Sequence, residues 1–113
     1  MKKRDYTDYL IDIKSECEFL INESNKIDYN TFASSDTLIR AFIRSLEFIG
    51  EATKHIPSYH RNKYPDIQWK KHYRNAKHSY SRVFRRGLLC IWITVKNKIP
   101  LLYDVIKKMI NDQ

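Results

Sequence analysis

The chain has 113 residues, one domain's worth spanning 1–113, and its core should bury roughly two-thirds of the surface that the unfolded chain exposes. Apolar residues make up 42% of it, with only two Gly and three Pro, which disfavours disorder, collagen-like repeats and turn-rich β-sandwiches and leaves an all-α domain as the leading class. The net charge is +8, and Lys70, Lys71, Arg74, Lys77, Arg82, Arg85 and Arg86 account for +7 of it, with no acidic residue between Asp66 and Asp104.

In chain order, Tyr6, Tyr9, Leu10, Ile13, Cys17, Leu20 and Ile21 recur at three and four residues, which predicts an amphipathic first helix ending near Asn22 to Asn25. Glu23 to Asn30 reads as a polar connector, with Phe32 available to plug the core. Ser34, Ser35 and Asp36 offer an N-cap, and Ile39, Phe42, Ile43, Leu46, Ile49 and Ala52 form the stripe of a second helix that stops before Pro57. Pro57 to Pro65 predicts a short helical turn and a loop. Trp69, Tyr73, Ala76, Tyr80 and Phe84 mark a third helix with a basic outer side. Gly87 is a natural break before a fourth helix over Leu89 to Ile99, continued by Leu101 to Ile110 beyond a kink or restart at Pro100, since Pro inside a helix costs about 3 kcal/mol. The expected architecture is an up-and-down four-helix bundle with a short extra helical turn and a Pro-kinked C-terminal helix.

Cys17 and Cys90 lie far apart, outside any CxxC pattern, on stretches that read as buried helix. A structural zinc site or a disulfide framework is therefore not expected, and a reducing cytoplasm fits best. No apolar run approaches the ~20 residues of a membrane span, and Met1-Lys2-Lys3-Arg4 leads into Asp5 and Tyr6 rather than a signal-peptide core, so neither secretion nor membrane insertion is expected. His55 and His60 lack partners at metal-ligand spacing and read as surface histidines. Glu47 and Glu51, with Arg44 three positions before Glu47, read as solvated helix pairs. The basic block, interleaved with Tyr73, Tyr80 and Phe84, suits an RNA backbone with stacked bases, with Lys70, Lys71, Lys77 and Arg82 as the phosphate contacts; a solvated helix face is the alternative.

The opening Arg4-Asp5-Tyr6, Tyr9-Leu10 and Asp12-Ile13, the run Ile43-Arg44-Ser45-Leu46-Glu47-Phe48-Ile49-Gly50-Glu51-Ala52, the pair Ile56-Pro57, the stretch Lys63-Tyr64-Pro65-Asp66-Ile67-Gln68-Trp69, and Trp92, Val95 and Ile99-Pro100-Leu101 together resemble the HepT-like branch of the HEPN superfamily, in order and over almost the whole chain. The resemblance implies an all-α bundle that dimerises and acts as a metal-independent endoribonuclease toxin of a type VII toxin-antitoxin pair. It needs no cofactor, and its partner is a nucleotidyltransferase antitoxin that adds AMP to a toxin tyrosine. The family motif is Arg, four residues, His, one residue, Tyr. Metal-free cleavage of RNA needs a base for the 2′-hydroxyl proton, a cation for the charge on phosphorus and an acid for the leaving oxygen, which His and Arg supply.

Here the corresponding stretch reads Arg74-Asn75-Ala76-Lys77-His78-Ser79-Tyr80, with three residues rather than four between Arg and His. Arg74 and His78 are the in-frame catalytic candidates and Tyr80 the candidate AMP acceptor. Ungapped alignment on Trp69 and Trp92, 23 positions apart, instead puts Ala76, Ser81 and Val83 where the family has Arg, His and Tyr. One choice of synonymous codons for His72 to Gly87, extended by the first bases of a Leu88 codon and read from the second base, encodes Ile-Ile-Gly-Met-Arg-Asn-Ile-Val-Ile-His-Gly-Tyr-Phe-Gly-Val-Asp, a complete motif in the family register. The expectation is thus a scaffold of toxin type whose motif segment is frameshifted and whose activity is impaired, the alternative being a catalytically inactive helical module that binds the antitoxin partner or nucleic acid.

Overall fold

The computed structural model describes residues 5–69 and 85–112, and among them there is no strand. Six helices follow one another: α1 (Tyr6–Asn25), α2 (Tyr29–Ala33), α3 (Asp36–Thr53), α4 (Ser58–Arg61), α5 (Arg85–Ile93) and, after a π turn at Thr94–Lys98, α6 (Ile99–Asn111). This is the all-α bundle read from the sequence. The expected third helix lies outside the described residues apart from Trp69 at its start.

α1, α2 and α3 each begin where a short polar side chain can accept from an N–H that lacks an intrahelical partner. Asp5 accepts from Thr7 N at α1, Asp28 from Thr31 N (2.8 Å) at α2 and Ser35 from Leu38 N (3.2 Å) at α3. The Thr31 N–H holds the Asp28 carboxyl below the usual carboxylate range. α2 occupies part of the stretch that reads as a connector, because Asp28 starts a turn there and Phe32 rewards it with a fully buried ring.

α1 is the central element, packing against both α3 and α6. Its face of Leu10, Ile13, Cys17 and Leu20 is fully buried and meets Phe42, Leu46 and Ile49 of α3 and Leu102, Ile106 and Met109 of α6 in one continuous core. Polar groups on these faces are satisfied: Ser45 Oγ donates to Glu16 Oε1 (2.7 Å), Thr53 Oγ1 to Gly50 O (2.7 Å) and Tyr103 Oη to Glu18 Oε2 (2.8 Å). α2 acts as a plug. The Phe32 ring lies 4.9 Å from Phe42 and 5.5 Å from Trp92, joining α3 to α5.

Two expectations at the C-terminal end are corrected. Gly87 does not break the chain but lies inside α5, since Leu88, Ile91 and Trp92 continue a helical stripe onto the core. Cys90 is exposed rather than buried, because it faces away from Ile91 and Val95, whereas Cys17 is buried as expected. Pro100 does produce a restart. It has no N–H to give Lys96 O, and the helix widens just before it, Ile99 N donating to Thr94 O five residues back. The wide turn also corrects a phase error. Ile91, Val95 and Ile99 are spaced by four and four, which in an ideal α-helix drifts ~80° off the face, and the π turn absorbs one residue and returns Ile99 and Leu102 to the core.

Phe32→Ala should lower unfolding stability by about 3–5 kcal/mol, seen as a lower urea midpoint, because the cavity opens between two helices that cannot close over it. Native protein should incorporate one equivalent of a thiol alkylating agent, at Cys90, and two only when unfolded. Burial, aided by the Glu16 and Glu18 carboxylates, pushes the Cys17 thiol far above its ordinary range and keeps it from forming thiolate.

Candidate active-site scaffold

All the residues predicted to act on RNA, Arg74, His78, Tyr80, Lys70, Lys71, Lys77 and Arg82, fall within 70–84 and so lie outside the described residues. The described residues instead define the frame on either side of that segment.

On the entering side the chain is fixed by Trp69, which is buried and whose indole Nε1 donates to both Arg61 O (3.1 Å) and Tyr64 O (3.2 Å). Arg61 Nε in turn donates to Ile56 O (3.0 Å), so α4 and the following loop form one hydrogen-bonded corner. Tyr64 Oη donates to Asp112 Oδ2 (2.9 Å), clasping this corner to the end of α6, and that bond to a carboxylate raises the Tyr64 phenol above its usual range. On the returning side, Trp92 is held against Tyr29 and Phe32, and Lys96 Nζ sits 5.6 Å over its ring while bonding Asn25 Oδ1 (2.9 Å).

The outer face of α3 carries an open groove of about 320 Å³ lined by Arg44, Glu47, Phe48 and Glu51. Helical spacing makes the groove: these positions lie opposite the buried Phe42, Leu46 and Ile49, so two carboxylates one turn apart share a solvent face with a guanidinium. Glu51 pairs with Lys54 (3.0 Å), and among the described residues Arg44 and Glu47 enter no ion pair. The arrangement can accept hydrogen bonds from cationic or imidazole donors and present one cation to an anion. Phe48, whose large ring is exposed in this groove, was visible in the sequence only as part of the family run. Among the described residues no three of His, Cys, Asp and Glu are grouped to hold a metal ion, and no helix is long and apolar enough to cross a membrane.

His55 is exposed, as expected, its ring stacked 4.2 Å from Tyr9. His60 departs from the surface reading: its ring lies between Tyr6 (4.6 Å) and Tyr59 (4.0 Å), and its Nε2 is buried with no hydrogen-bond partner among the described residues.

The described residues thus form an all-α scaffold with a polar groove on α3. The family model for HepT-like ribonucleases matches residues 8–109, and the chain belongs to that family. It is similar to "Putative RNase MJ0125" of Methanocaldococcus jannaschii, 37% identical over 99% of this chain and 97% of the relative. "Putative RNase TTE0752" of Caldanaerobacter subterraneus subsp. tengcongensis is 35% identical, over 93% and 94% of the two chains. "Probable ribonuclease HepT" of Thermococcus cleftensis is 33% identical, over 95% and 97%. No solved structure matches the chain.

Trp69→Phe keeps the aromatic bulk but leaves Arg61 O and Tyr64 O without their indole donor. It should cost about 1–2 kcal/mol in urea unfolding, less than a cavity mutation in the core.

Proposed function

We propose that the chain is a metal-independent endoribonuclease of toxin type, impaired because its Arg-x4-His-x-Tyr motif is displaced. What supports this reading is the family match over 8–109 together with the spacing of the motif: when the chain is aligned without gaps on Trp69 and Trp92, Ala76, Ser81 and Val83 fall where the family has Arg, His and Tyr, and Arg74, His78 and Tyr80 fall two or three residues early. The whole chain, 1–113, serves as one catalytic domain, and the family's habits supply a homodimer in the cytoplasm and a nucleotidyltransferase antitoxin.

The chemistry follows from the residue types. A neutral imidazole, that of His78, takes the proton of an RNA 2′-hydroxyl. The oxygen attacks the adjacent phosphorus as the P–O5′ bond breaks, and the departing 5′-oxygen takes a proton from water while the His78 imidazolium returns its own to solvent, giving a 2′,3′-cyclic phosphate and a free 5′-hydroxyl. The Arg74 guanidinium stabilises the charge on the non-bridging oxygens. Lys70, Lys71, Lys77 and Arg82 hold the backbone. Tyr80 offers its hydroxyl to AMP transfer, which adds a bulky anion beside the groups that bind phosphate and so opposes substrate entry.

The displaced register also favours a second reading, a catalytically inactive module that keeps the scaffold to bind the antitoxin partner or nucleic acid. Cleavage of single-stranded RNA in the presence of a chelator separates the two. The wild-type chain should cleave slowly and His78→Ala more slowly still, by roughly 100-fold. The triple variant Ala76→Arg, Ser81→His, Val83→Tyr should cleave faster than wild type. Equal rates for wild type and His78→Ala would reject His78, and no cleavage by wild type would leave the binding module.

A further inference from the structure

The corner between α3 and α4 carries a stack of rings that neither the core nor the groove on α3 uses. Tyr59 lies 4.0 Å from His60 with its ring tilted by 38°, and His60 is stacked 4.6 Å from Tyr6 on α1. The stack is anchored at its inner end, where Tyr6 packs against the hydrophobic core, and open at its outer end, where Tyr59 is 63% exposed, more than any other large hydrophobic side chain of the described residues. An aromatic ring that projects into water from a rigid base gains nothing for the fold. Its support is nonetheless well built, since α4 is locked by the Arg61 Nε bond to Ile56 O and by the Trp69 indole.

We infer that this corner is a base-stacking platform for single-stranded RNA, with Tyr59 as its open face. The inference rests on the ribonuclease reading and adds a substrate contact to it. Charge is mildly favourable to this occupant: residues 51–66 carry Lys54, Arg61 and Lys63 against Glu51 and Asp66 at the two ends, so the cations lie nearer Tyr59 in the chain than the carboxylates do. Lys63 is exposed and in no ion pair among the described residues, while Lys54 is partly neutralised by Glu51. In addition to Glu51 and Asp66, two acidic residues lie close to Tyr6 in the chain: Asp8, exposed on α1, and Asp5, whose carboxylate is turned back onto Thr7 N. They offset part of the positive field, so the ring rather than charge carries most of the affinity. Every nucleobase has a π face, and the platform therefore holds a strand without selecting its sequence. A base paired within a duplex is already stacked on both faces and cannot join it.

The test uses the full chain and a fluorescent 2′-O-methyl oligoadenylate, which cannot be cleaved through the 2′-oxygen, with binding read by anisotropy. Tyr59→Ala should raise Kd by roughly 5- to 100-fold, and Tyr59→Phe should leave it near the wild-type value. Neither should shift the thermal midpoint appreciably, because the side chain is exposed. An unchanged Kd for Tyr59→Ala while wild type binds the probe would overturn the platform and leave the ribonuclease reading intact. Wild-type protein that neither binds the probe nor cleaves unmodified RNA would sink both.

Discussion

The burial of one helix face, Leu10, Ile13, Cys17 and Leu20 of α1, is the constraint from which the rest of the molecule follows. These side chains are shared between α3 and α6, so neither helix could keep its place if α1 were displaced. The polar contacts along the same helix, Ser45 to Glu16 and Tyr103 to Glu18, fix its rotation and register rather than supply most of the energy. Burying a cysteine in this face fits the same logic, since a small weakly polar side chain costs little to desolvate so long as it stays a thiol.

Around this axis two tryptophans are anchored, Trp69 and Trp92. Trp69 is fixed by hydrogen bonds to backbone carbonyls, and Trp92 by aromatic packing and a lysine over its face. The two anchors use different physics and belong to different parts of the core.

The long helices were legible because their apolar stripes have the helical period, and Ser35 was legible as a cap because it precedes such a stripe. α2 was not, because a five-residue helix contributes too few positions to show a period, and its cause is the packing of Phe32 in three dimensions. Gly87 and Cys90 were misread for a related reason: each was judged by residue type, whereas the outcome was decided by which face of α5 met the core. Of the candidate site, the polar face of Arg44, Glu47 and Glu51 could be read from spacing. The Tyr6–His60–Tyr59 cluster could not, because Tyr6 lies more than fifty positions from the adjacent Tyr59 and His60 and meets His60 only through tertiary folding.

The wide turn before Pro100 has an evolutionary consequence. It amounts to one residue inserted into a helix that otherwise tolerates no change of length, and the insertion is accepted because a proline stands just beyond it. Remove the insertion alone and the pyrrolidine ring is forced against a regular helical turn; replace the proline alone and the bulge keeps only its role in returning Ile99 and Leu102 to the core. The two features form an epistatic pair, so relatives that lack one are expected to lack the other, and the length of this helix should vary only in step with the residue at that position.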